Sequence, residues 1–256
     1  MDDTPSRRLG NELLHHASRW WAGEAEAAKT FFGMPHSGEE HLRWLRLQAY
    51  KELQPRPDGL IRRLVDKLQA DYPGLEHGVD RAGYLHTLEF LLEEFRHYVL
   101  FADVIDEVTG GVLTPEELAT YELPEERKLR ELREAFGREW GDLARSASSF
   151  CEGGGASLFY EGMRTSGDPL SDKIAAACKS VYRDEMEHAH HGVEDLVRVA
   201  RTEADWRTAR YLVEEISKQR LRMRNEQFGF PLSEERLREI GDGKIDLPKR
   251  FLALVV

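Results

Sequence analysis

Apolar residues along this chain recur at three- and four-residue intervals, and very little of it alternates as a strand would. The first helical segment runs from about Pro5 to Phe32, with Leu9, Leu13, Ala17, Trp20, Trp21, Ala28 and Phe31 on or near one face. The run GMPHSGEE ends it. A second begins near Ser37, an N-cap residue with Glu39 and Glu40 in the first turn, and carries Leu42, Leu45, Ala49 and Glu52. Pro55 and Pro57 interrupt it, Leu60 to Ala70 continues as helix, and DYPGLEHG is a turn. The third segment, about Arg81 to Val108, is the most apolar. Leu85, Leu88, Leu91, Leu92, Phe95, Tyr98, Val99, Phe101, Val104 and Ile105 cover much of its circumference, as on a helix in the middle of a bundle. A short helix over Pro115 to Tyr121 leads to a long one from about Pro124 to Met163. Two more follow, about Ser171 to Arg201 and Glu203 to Gln227, and a short one over Ser233 to Ile240 precedes the tail FLALVV.

Charge changes this picture at two places. Glu94 and His97 lie in the most apolar helix, where charged groups need a partner or a metal. Glu185 and His188 repeat the Glu-x-x-His spacing in a later helix. Residues i and i+3 share a helix face, so each pair can close on one ion. Facing positions of an antiparallel hairpin lie about equally far from its turn. The midpoint of Glu152 and Glu185 falls at 168 to 169, in the Asp168-Pro169 turn, so Glu152 is the expected partner of the second pair. Glu161 lies nine residues from Glu152 and faces the other way on a regular helix. The midpoint of Glu52 and Glu94 is Pro73, also in a turn, and Glu52 is the expected partner of the first pair; Asp58, Glu40 and Glu24 are its substitutes.

Two Glu-x-x-His pairs, each joined by a further Glu from a facing helix, make a carboxylate-bridged dinuclear site in a four-helix bundle. The residues therefore resemble the ferritin-like di-iron carboxylate superfamily. Arg183-Asp184-Glu185-x-x-His188 is similar to the second motif of the ribonucleotide reductase small subunit. That resemblance implies an all-α fold with an antiparallel four-helix core over 37–201. A helix over 1–36 and the helices and tail of 202–256 would pack on it, all in a single domain of 1–256. It implies metal ligands Glu52, Glu94, His97, Glu152, Glu185 and His188, with Asp184 hydrogen-bonded to a ligand imidazole. It further implies two iron ions, with manganese fitting the same donors, and dioxygen activated to hydroxylate, desaturate or N-oxygenate a small organic substrate. An external electron donor (a reductase or ferredoxin) is expected. Phe95, Tyr98, Phe150 and Phe159 would keep water from the oxidant, and Gly153 to Gly155 would either allow close packing or leave room for the substrate. The other readings are an iron-storing ferroxidase and a haem-oxygenase-like di-metal oxidase.

Composition bounds the remainder. The 256 residues are 41% hydrophobic with 9% aromatic, enough for a sizeable core. A net charge of −11 argues against general nucleic-acid binding. No run of 18 apolar residues exists, so no membrane span is expected. Cys151 and Cys178 make no disulfide framework, and the start lacks the apolar core of a signal peptide, so a cytoplasmic monomer or homodimer is expected. Arg207, Arg210, Lys218, Arg220, Arg222 and Arg224 form a basic side on one helix, read as a solvated face, with docking of an acidic carrier protein or reductase as the alternative. Cys151 is read as a small buried hydrophobe.

Overall fold

A computed structural model describes residues 5–78 and 80–248, with the side chains of 5–7, 76 and 186–190 left aside. Among the described residues the fold is all-helical, with no strand. The helices are α1 (Pro5–Phe32), α2 (Gly38–Leu53), α3 (Leu60–Asp71), α4 (Arg81–Thr109), α5 (Pro115–Ala119), α6 (Pro124–Phe150), α7 (Gly153–Gly162), α8 (Pro169–Val199), α9 (Glu203–Gln227) and α10 (Glu234–Gly241). A 3₁₀ turn, Tyr72–His77, joins α3 to the approach of α4.

Local chemistry sets the ends. Ser37 accepts the Glu40 N–H at 3.3 Å while the Glu40 carboxylate takes the Ser37 N–H at 2.8 Å, a reciprocal box that satisfies two otherwise orphaned donors at the start of α2. Thr114 with Glu117 and Thr202 with Asp205 repeat it at α5 and α9. α2 stops at Gln54, held left-handed at φ 46° ahead of Pro55. α4 stops at Gly110, φ 68°, a conformation glycine adopts without steric penalty.

Contacts divide the chain into two compact units. The first comprises the described residues of Met1–Pro35, Leu123–Ser166 and Cys178–Val256; the second comprises those of His36–Glu122 and Gly167–Ala177. In the first unit α1 packs on α7, α9 and α10, and α6 packs on α9. Its core joins Leu14, Ala17 and Trp21 of α1 to Ala147 and Phe150 of α6, Val193 and Leu196 of α8, and Leu212, Val213 and Ile216 of α9. α1 and α9 thus build this core directly. Trp21 and Phe150 are each fully buried, with ring centroids 5.7 Å apart, and burying each such side chain is worth about 1.5–3 kcal/mol. In the second unit α2 lies against α4, α3 against α4, and α5 against α2.

Two expectations need correction. The segment from Pro124 to Met163 is not one regular helix. It turns at Cys151 and Glu152 between α6 and α7, and Gly141 inside α6 has φ 53° and ψ −122°, outside helical geometry. α4 is not wrapped on all sides. Leu85, Leu88, Leu92 and Phe95 are exposed, because α2 and α3 cover only part of its circumference.

Candidate metal centre

α2 and α4 bring three of the expected ligands together in the second unit. Glu52 on α2 and Glu94 and His97 on α4 offer ligand atoms that all lie within 4.8 Å of one another. Helix geometry explains how. Trp44, Gln48 and Glu52 follow at i, i+4, i+8 on α2 and share one face. His97, Phe101 and Ile105 share one on α4, and all three are buried. Trp44 meets Phe101 edge to face at 5.9 Å, which fixes the antiparallel register of the two helices. About two turns further along each helix, Glu52 comes level with the Glu94–His97 pair.

His97 has no solvent exposure, and Glu52 has 7%. The Nδ1 of His97 is 3.9 Å from Oε2 of Glu52. Gln48, 1% exposed, donates its side-chain amide to Oε1 of Glu52 at 2.5 Å, so one carboxylate oxygen is fixed and the other points at the imidazole. Gln48 carries no sequence motif; its only signal was its place one turn before Glu52 on the buried face.

The donor set fits a divalent cation. Two ligands about 2.1 Å from one ion stand roughly 3.0–4.2 Å apart, depending on the angle between them. The 3.9 Å separation lies in that span, and the 4.8 Å limit exceeds it by a few tenths of an ångström, within side-chain adjustment. Two carboxylates would balance a 2+ charge, and buried charge without such balance is costly. The substitutes for Glu52 are engaged elsewhere. Glu40 caps α2, Asp58 pairs with Nε of Arg56 at 3.2 Å, and Glu24 lies in the first unit.

The remaining expected site residues belong to the first unit. Glu152 sits in the turn between α6 and α7, its side chain 43% exposed, with Nη2 of Arg133 3.9 Å away. Glu185 on α8 is partly buried, its Oε2 only 3.0 Å from where a β-carbon on Gly155 would stand. Asp184 is partly buried on the same helix. The side chain of His188 lies outside the described residues, as does the tail FLALVV. Phe150 and Phe159 are buried in the first unit, whereas Phe95 of the second is 44% exposed, its ring against that of Tyr98.

The glycine run is packed rather than open. A β-carbon at Gly153 would stand 2.7 Å from Trp21, and one at Gly154 2.3 Å from the Glu24 carboxylate. The space expected for a substrate is therefore filled by side chains of α1 and α8. Glu24 itself is wholly buried, accepting from Arg220 at 3.2 and 3.3 Å and from Arg224 at 3.3 Å. This corrects the reading of the basic side of α9 as solvated: Arg220 and Arg224 are 5% and 4% exposed. The signal lay in the sequence, since Val213, Ser217, Arg220 and Arg224 fall on one helix face. Burial pushes the Cys151 thiol up to about 11 although Ser217 donates to its sulfur, so it is a packed, protonated side chain at neutral pH.

No protein-family model, curated protein or solved structure matches the chain. What the described residues define is an all-helical protein bearing a carboxylate–imidazole group that could hold a metal ion. None of its helices there is long and apolar enough to cross a membrane.

Proposed function

We propose that this protein is an iron-dependent oxidoreductase of the di-iron carboxylate type, acting with dioxygen on a small organic substrate. The observation that supports it is the meeting of Glu52, Glu94 and His97 across α2 and α4 around a fully buried imidazole. Two carboxylates that converge on one buried imidazole repel each other, and a divalent cation shared by the three would offset that repulsion. When bound, iron in such a donor set supplies redox chemistry toward dioxygen. Each neighbouring residue has a separate task. Gln48 holds the Glu52 carboxylate in one orientation, which is what an outer partner of a metal ligand contributes. Trp44, Phe101 and Ile105, each at most 1% exposed, keep bulk water from the His97 side of the cluster. His97 stays on α4 at the i+3 position that lets it share an ion with Glu94. Manganese is the competing metal for the same donors.

Anaerobic iron(II) titration followed by exposure to dioxygen tests this. The wild-type chain is expected to bind iron and consume dioxygen, with about two irons per chain on the dinuclear reading. His97→Ala is expected to lose tight binding at this site, and Gln48→Ala to weaken it by about tenfold. Iron uptake and dioxygen consumption unchanged in His97→Ala would overturn the assignment.

A further inference from the structure

The face of α4 turned away from its buried side is apolar and uncovered. Leu85, Leu88, Leu92 and Phe95 are 54%, 42%, 53% and 44% exposed. Their steps of three, four and three residues are those of a heptad seam, the pattern with which one helix buries itself against another. Contiguous large apolar side chains left in water are a recognised mark of an association surface.

We propose that this seam is the interface of a homodimer, in which α4 of a second copy of this chain packs antiparallel against it around a two-fold axis. Charge complementarity selects that occupant and that direction. Glu89 and Arg96 are both exposed, and both occupy the position that directly follows a seam residue, after Leu88 and Phe95. In the antiparallel register that sets Leu92 of one copy against Phe95 of the other, Leu88 faces Val99, and Glu89 comes beside Arg96. Two-fold symmetry makes every one of these contacts twice. On the other flank Leu91 faces Tyr98, both partly buried and mainly apolar, so the seam is closed on that side by ring and aliphatic surface. The competing arrangements lose this match. A register shifted by one heptad sets Glu89 against Glu89. A parallel pair sets Arg96 beside Leu91 and Glu89 beside Tyr84, with no opposite charges in contact. This inference needs no metal, and it fails or stands independently of the proposed activity.

The test is light scattering coupled to size-exclusion chromatography on the full chain, with circular dichroism to verify folding. At about 50 µM the wild type is expected at twice the 29.5 kDa chain mass. Leu92→Glu, at an exposed position, is expected to give a monomer with unchanged helix content. Glu89→Arg and Arg96→Glu are each expected to raise the dimer Kd about fivefold to tenfold, from two exposed ion pairs lost per dimer, and the double swap to restore it. A wild type that remains monomeric at about 100 µM overturns the proposal. So does a dimer that Leu92→Glu leaves intact. Single swaps that have no effect, or a double swap that does not rescue, overturn the antiparallel pairing.

Discussion

Gly154 shows how tightly single residues are set in the first unit. Its missing β-carbon is what lets the Glu24 carboxylate lie against α7 while two buried arginines hold it from α9. Gly154→Ala should therefore destabilise the protein by roughly 1–3 kcal/mol, through overpacking against a buried ion cluster. Gly137 is the control. It is helical, and nothing lies within 4 Å of a β-carbon built there, so Gly137→Ala should stabilise by about 0.5–1 kcal/mol. Thermal or urea unfolding of the two variants reads both signs; equal effects would mean that the close approach of Gly154 to Glu24 is not maintained. The sequence offered two explanations for the glycine run, close packing and room for substrate. Composition could not choose between them, because the deciding neighbours, Trp21, Glu24 and Glu185, come from distant parts of the chain.

At the scale of the helix, end signals were the most readable feature, since they act within four residues. Ser37 and Pro55 mark ends that the structure also has, and Asp80, Gly110 and Thr202 close further helix ends by equally local chemistry. The break at Cys151 and Glu152 was not readable, because no proline announces it, and apolar spacing on either side looks continuous. The caps carry a pH dependence. Glu40, Glu117 and Asp205 are held below their ordinary values chiefly because backbone N–H groups donate to the charged carboxylate, with the cap hydroxyl adding to this. A carboxyl whose value is lowered on folding contributes stability above its unfolded value and loses it as pH falls through its folded one. The starts of α2 and α5 should therefore stay protected at pH 5 and fray only as pH drops below 4.5, the ordinary value for their glutamates. Amide exchange of the first turns of α2 and α5 between pH 5 and 3 checks this. Fraying that is already complete at pH 5 would contradict it. α4 misled the reading in a different way. Apolar positions all round a helix look like a bundle centre, but the same pattern results when one face meets α2 and α3 and another stays exposed.

For the whole molecule, an all-helical fold followed from spacing alone, while the grouping of the helices did not. α1 and α9 were expected as additions to a core over 37–201, yet Leu14, Trp21, Leu212 and Ile216 lie in the core of the first unit. Helix spacing reveals which face of each helix is apolar, but not which helix covers it. The Glu52–Glu94 pairing was legible because α3 and then α2 both lie along α4 on the far side of one turn, so positions about equally far from that turn meet. Pro55 and Pro57 bend the chain between α2 and α3 without destroying the symmetry, and the Trp44–Phe101 contact shares nearly the same midpoint, inside the connecting turn. Gln48 was illegible, because orienting a ligand requires only an amide on the right turn, and amides are common on helices.

The central claim is that Glu52, Glu94 and His97 bind one metal ion together, and anomalous diffraction from crystals grown with iron(II) under anaerobic conditions tests it most directly. The account predicts an anomalous peak at the iron edge between α2 and α4, within bonding distance of the two carboxylates and the His97 ring, and no peak there in His97→Ala crystals. A map with iron bound elsewhere, or with Glu52 and His97 joined directly and no metal between them, would contradict it.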